Sequence, residues 1–295
     1  MRYFSRLKTG FVLSVASLRV LRSHPKLALY PLVSGIASAV FMAALLGPLF
    51  LASEMSLGGI EIAVLFVVYL GTTYITALFN AGLVYSVGEV FHGNDPHIGD
   101  GLRAASRKSG TLLIWSFVSA IVGIFIQALE SRGGIGAQIA AMIFSVGWAV
   151  ATFFVIPVIV FQDDVSATSM FTESASTFKE TWGETVGTKV GLGIIPALIM
   201  IPGIVLAVGI IAISQSLAMV AIALAIAVSF GVLSMLVGGV ITGVAKTALY
   251  VYATEDIKPE EFNQFDFDSM FESASGDTQD KSRGSGGIQG TKRGI

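Results

Sequence analysis

Six stretches of this chain stay apolar for roughly 19 residues or longer, and no other feature constrains its fold as tightly. They run from about Leu27–Ser53, Ile60–Val90, Thr111–Leu129, Ile135–Phe161, Val190–Ile213 and Leu217–Val251. A run of ~20 apolar residues crosses a ~30 Å hydrocarbon core as a helix, because a helix pairs its backbone N–H and C=O groups internally. With 54% apolar and 13% charged residues and a mean hydropathy of +0.77, the chain lacks the charge to cover a water-facing surface. The sequence therefore predicts an all-α, polytopic membrane helix bundle of six transmembrane helices.

Sorting the charges around these spans puts 17 of the 18 Lys and Arg residues on one side, with Arg132 alone on the other. The basic groups fall in the arm (Arg2, Arg6, Lys8, Arg19, Arg22, Lys26), the second–third loop (Arg103, Arg107, Lys108), the fourth–fifth loop (Lys179, Lys189) and the end region from Lys246 onward. The positive-inside bias then predicts a cell-membrane protein with both termini cytoplasmic. The basic arm suits an anionic inner leaflet, whereas the nine acids between Glu255 and Asp280 are repelled by it. The expected partners are the lipid bilayer, through that arm, together with a separate protein or a second copy of the chain, and no nucleic acid. Without Cys there is no disulfide frame or thiol nucleophile. The polar start is too long for a cleaved signal peptide, so the first span is expected to stay as an anchor.

Three regions are expected: a basic amphipathic arm over 1–26, the six-span domain over 27–252, and an acidic-aromatic, then disordered, cytoplasmic tail over 253–295. The outer loops (Glu54–Gly59, Glu130–Gly134, Ser214–Ser216) are short, which pairs the spans as three hairpins. Each hairpin follows a segment with helical periodicity, read as an interfacial amphipathic helix. The stripes are Phe4, Leu7, Phe11, Val15 and Leu18; Ile98, Leu102 and Ala105 behind Asp100 as N-cap; and Phe171, Ala175, Phe178, Trp182 and Val186. Span starts at Leu27, Thr111 and Val190 are nearly evenly spaced, the pattern of a threefold unit, although the copies share few residues.

Polar groups inside the spans are few: Asn80, Gln127 and Lys246. Asn80 reads as a helix-to-helix hydrogen bond, and Lys246 as an anchor that snorkels to the cytoplasmic surface. No acidic group sits at mid-depth for a proton relay. The loop holding His92, Asp95, His97 and Asp100 has competent divalent-metal ligands, but its Gly93, Pro96 and Gly99 describe a turn and helix cap, which is the favoured reading. Asp163 and Asp164 read as a solvated span boundary. No nucleophile–base pair, zinc helix or phosphate loop is present, so no catalytic residue, metal or cofactor is expected.

Gly183, Gly187 and Gly191, and Gly239 with Gly243, repeat at four-residue spacing, which allows the close helix approach that drives packing in lipid. Pro196 and Pro202 should kink the fifth span. In the tail, Phe262, Phe265, Phe267 and Phe271 stand among acids as a candidate docking motif, for a partner or for the chain's own Arg103, Arg107 and Lys108.

The strings Leu21–Leu27 with Tyr30-Pro31, Phe79-Asn80, Trp148 to Pro157-Val158, and Phe178–Gly183 resemble an uncharacterised six-span integral membrane family of prokaryotes, well represented in halophilic archaea. The resemblance spans residues 1 to about 255. It implies the six-span fold and transfers no activity, because that family has none assigned. A pI near 5.9 is less acidic than halophile surfaces usually are, though a lipid-buried chain has little surface to show that bias. The sequence favours a non-enzymatic membrane scaffold or assembly factor. A small-solute transporter or channel is the alternative, supported by a broken fifth span and the threefold pattern and opposed by the lack of mid-depth charge.

Overall fold

A computed structural model of the protein describes residues 2–51, 59–131, 133–182, 193–213, 216–263 and 265. Among these residues ten α-helices and two 3-10 turns form, with no strand. In chain order the helices are α1 (Arg2–Ser23), α2 (Leu29–Leu51), α3 (Gly59–Phe91), α4 (Ile98–Arg107) and α5 (Ser109–Ser131). They continue as α6 (Ile135–Ala151), α7 (Val155–Phe161), α8 (Ser169–Trp182), α9 (Ile194–Ile213) and α10 (Leu217–Glu255). The 3-10 turns cover Pro25–Ala28 and Glu260–Phe262.

Six segments are long and apolar enough to cross a membrane: Pro25–Pro48, Ala63–Phe91, Ser109–Ser131, Ile135–Phe161, Ile194–Ile213 and Leu217–Glu255. None is more than 33% buried over its most apolar window. Ile36, Val40, Ile143, Val205 and Met235 point outward along their length, an apolar belt that water would not tolerate and lipid covers. This is a multi-pass membrane protein. α2 packs along α3, α5 along α6, and α9 along α10.

The buried core is concentrated at one end of the bundle. It joins Ala81, Leu83 and Val87 of α3, Val155, Val158 and Ile159 of α7, and Val240 to Tyr252 of α10. Leu13 and Val20 of α1, Ala105 of α4, and Met170 and Phe178 of α8 close over them. The periodic segments therefore pack on protein as well as meeting solvent or lipid. On α1 the packed face carries Leu13, Ala16 and Val20 with two buried serines. Ser14 and Ser17 donate their hydroxyls to the carbonyls of Gly10 and Leu13, each at 2.9 Å, so that face buries no orphan donor. Phe11 and Leu18 of the expected stripe lie on the opposite face, 42% and 36% exposed. The side chains of Phe4, Leu7, Trp182 and Val186 lie outside the described residues.

Helix α4 starts one turn earlier than expected, which corrects the Asp100 cap. His97 is the N-cap, and Asp100, at the third helical position, accepts the His97 N–H at 3.1 Å through Oδ2. The α4 stripe faces α3, where Gly82 and Gly101 let the two backbones meet over Tyr30. The Tyr30 hydroxyl sits 2.6 Å from Ser86 Oγ and donates to the Ile98 carbonyl at 3.2 Å.

Among the described residues the interrupted span is the fourth. α9 runs unbroken from Ile194 through Pro202 to Ile213, with Pro196 in its first turn, where a missing N–H costs no bond. In the fourth span, Thr152 to Phe154 form a turn between α6 and α7. Pro157 explains the position: its ring would clash with the carbonyl four residues back, at Phe153, so the helix restarts with Pro157 in its first turn. The interruption frees the Phe154 N–H, and Ser174 Oγ of α8 accepts it at 2.9 Å in a fully buried setting.

α10 continues beyond the expected end at Val251 to Glu255, where Asp256 takes a left-handed φ of 54° and its N–H reaches the Tyr252 carbonyl at 3.1 Å. Phe262 and Phe265 then return to the core, 1% and 6% exposed. Phe262 meets Phe91 edge to face at 5.9 Å, and its turn packs on α1. The chain's own basic loop is not their dock. Arg103 lies 3.6 Å from Asp100, and Lys108 Nζ donates to the carbonyls of Gln162 and Asp163 at 2.6 and 3.1 Å. Phe267 and Phe271 lie outside the described residues, as do Arg132, Gly183, Gly187 and Gly191.

Candidate functional site

Lys246 stands nine residues before the end of α10, about 13 Å along the axis at ~1.5 Å per residue. Residues 247 to 252 beyond it are buried. Lys246 itself is part-buried. Its Nζ lies 4.7 Å from the centre of the Phe153 ring, within cation–π range. Phe153 belongs to the turn that interrupts the fourth span, so the break and the charge form one site.

Three adjoining cavities share Lys246 in their walls. One of about 380 Å³ runs between α3 and the interrupted span, lined by Thr72, Thr73, Thr76, Asn80, Trp115 and Thr152. One of about 810 Å³ lies between α2, α3 and α10. One of about 630 Å³ lies between α9 and α10, with Pro196, Met200 and Ser234 in its wall. Thr72, Thr73, Thr76 and Thr152 donate their protons to carbonyls three or four residues back, at 2.7 to 3.1 Å. What they offer the cavity is oxygen lone pairs. Ser234 is turned away in the same manner, donating to the Pro196 carbonyl at 2.7 Å and tying α9 to α10.

Asn80 reaches the first two cavities, and its amide makes no hydrogen bond to a described residue, in place of the helix-to-helix bond expected of it. Its Oδ1 lies close to Gly243, where an added Cβ would stand 3.7 Å away and would press on Leu83 Cδ2 at 2.7 Å. Gly243 is thus a close-approach point for α3, whereas Gly239 has only an ordinary contact with Pro31. Gln127 is exposed on α5 and lines none of these cavities. Thr72, Thr76 and Asn80 repeat at four-residue spacing on one face of α3, a signal that the sequence carries beside Asn80. Pro157 was the corresponding signal for the break.

At the core end, the two loop histidines diverge. His92 Nδ1 meets the Gly88 carbonyl at 2.7 Å and Nε2 meets Glu255 Oε2 at 2.8 Å, while His97 caps α4. The Gly88 carbonyl holds the His92 pKa above its ordinary value, partial burial opposes it, and Glu255 and Glu89 add to the rise. Asn94 Nδ2 donates to Glu89 Oε2 at 2.8 Å. Among the described residues, no three His, Asp or Glu side chains gather as a metal site.

Residues 59–259 match DUF6159, a family of unknown function. The chain belongs to DUF6159. No curated protein and no solved structure matches it. The DUF6159 stretch begins with α3 and ends at Pro259, so it holds Asn80, the interrupted span and Lys246. α1, α2 and the Leu21–Leu27 string of the resemblance fall before it.

Proposed function

We propose that this member of DUF6159 is a cell-membrane protein with both termini cytoplasmic that binds a small anionic solute at Lys246 and transports it without chemistry. The charge distribution of the loops supports the orientation. The observation that carries the function is Lys246 over Phe153, in cavities edged by Asn80 and threonine oxygens beside an interrupted span. Ionisable groups inside spans and broken helices are where membrane transporters hold their substrates. Lys246 supplies the charge on which this reading rests. A scaffold role needs a partner-facing surface, and Phe262 and Phe265, expected to supply one, are taken up by the chain's own core. The exposed Phe11 and Leu18 of α1 beside Arg19 and Arg22 suit an anionic inner leaflet instead.

The test is uptake of labelled acetate, benzoate and phosphate into neutral-lipid vesicles containing the purified protein. Saturable uptake of one of them should fall about tenfold or more in Lys246→Gln, since a hydrogen bond to a charged group is worth that much. Equal uptake by both proteins for every anion would sink the reading.

A further inference from the structure

The largest of the three cavities is a groove, and its two ends differ in chemistry. At the end near the core stand Lys246, Asn80 and Thr242; at the other, uncharged end stand Met42, Thr72, Val232 and Met235. Along α2 the groove runs from Tyr30 to Met42, twelve residues or about 18 Å at ~1.5 Å per residue. Along α10 it runs from Lys246 to Val232, fourteen residues or about 21 Å. A single leaflet of the hydrocarbon core is about half of ~30 Å deep. The groove thus has the length of one leaflet with a cation at one end.

Its walls are built to stay open. α2 packs extensively along α3 but only lightly on α10. A Cβ added at Gly35, in the groove wall, would meet nothing within 4 Å. Halfway along, Ser38 Oγ is buried without a hydrogen-bond partner. A water-soluble anion would use the Lys246 end and leave the apolar length unexplained.

We infer that the groove between α2, α3 and α10 holds a single acyl chain whose anionic head, a carboxylate or phosphate, is held at Lys246 and Asn80. This rests on the reading of Lys246 as an anion site and names the solute as an amphiphile. The chain lies between α2 and α10 with its head toward the core end, and it reaches the groove sideways from the bilayer, through the gap that the light α2–α10 contact leaves. No bond is made or broken.

Palmitate carrying a photoactivatable group at its tail end, added to the full-length protein in phosphatidylcholine nanodiscs, tests the inference. Labelling is mapped by mass spectrometry. Expected is saturable labelling at Met42 or Met235, displaced by unlabelled palmitate and not by acetate at equal concentration. Lys246→Gln should weaken the half-saturating concentration about tenfold or more. Gly35→Leu, which fills the groove without removing the Lys246 charge, should abolish labelling there. Labelling that does not saturate, or that falls equally on outward residues such as Phe117 and Ile143, would mean that bulk lipid fills the groove and would overturn the inference. If Lys246-dependent uptake of a soluble anion persists alongside that result, the transporter reading stands and only the acyl chain is wrong.

Discussion

His92 and Glu255 join the end of α3 to the end of α10, with Nε2 and Oε2 2.8 Å apart, and Glu89 adds a second carboxylate nearby. Because the folded pKa of His92 is raised above 6.5, its contribution is fully present below the unfolded value and is lost as pH rises through the folded one. The melting temperature of the wild type should therefore exceed that of His92→Gln at low pH, and the gap should narrow as pH rises through the folded pKa. A gap that widens with pH would contradict the pairing. Tryptophan fluorescence in detergent is a sufficient readout.

The α3–α4 crossing predicts opposite outcomes for two glycines that are neighbours in sequence. A Cβ at Gly101 would meet Tyr30 Oη, and would lie 2.6 Å from both the Gly82 carbonyl and Ser86 Oγ, whereas one at Gly99 meets nothing within 4 Å. Gly101→Ala should destabilise by about 2 kcal/mol or more, since backbone cannot yield. Gly99→Ala should be neutral or stabilising by up to ~1 kcal/mol. Equal melting temperatures would mean that α4 does not sit against Gly82.

Buried Ser174 accepts the N–H that the interrupted fourth span releases. Ser174→Ala should cost about 1–3 kcal/mol, the penalty for stranding a buried donor. Pro157→Ala combined with Ser174→Ala should recover part of that loss, because the span can then close its own ladder. Unfolding titrations of the two variants decide this, and no recovery would mean that Pro157 is not what breaks the span.

Phe262 closes the core from beyond α10. Phe262→Ala should cost about 3 kcal/mol or more and raise hydrogen exchange at the amides of Phe262 and Asn263, which are bonded to Pro259 and Glu260. Truncation after Phe265 should leave that exchange unchanged. Fast exchange in the intact protein would show that the turn is not docked.

The chain has no Cys, so single cysteines report sidedness cleanly. An impermeant maleimide added to intact cells should label Gly58→Cys, Gly133→Cys and Gln215→Cys. It should spare Gly99→Cys, Glu173→Cys and Gly284→Cys. Labelling at Glu173→Cys from outside would overturn the six-span orientation.

The six spans could be read from the sequence because the length of an apolar run is a one-dimensional property: the backbone must pair internally across the hydrocarbon whatever its neighbours are. Leu217 and Ile135 begin spans where the apolar runs begin, and Ile213 ends one where its run ends. Pro157 and the Thr72–Thr76–Asn80 line were also legible, since ring clash and four-residue spacing are local rules. The surroundings of Lys246 were not. Whether its ammonium snorkels to water or lies over Phe153 depends on how far α10 continues past it and on which face the interrupted span presents. Likewise Ser174 and Phe154 are twenty residues apart, and Phe262 meets Phe91 across most of the chain. Periodicity marks which face of a helix is apolar, but not whether lipid, α3 or α10 covers it. Only the meeting of helices from distant parts of the chain decides that, because packing and hydrogen bonding act over a few ångströms in space and are indifferent to separation in sequence.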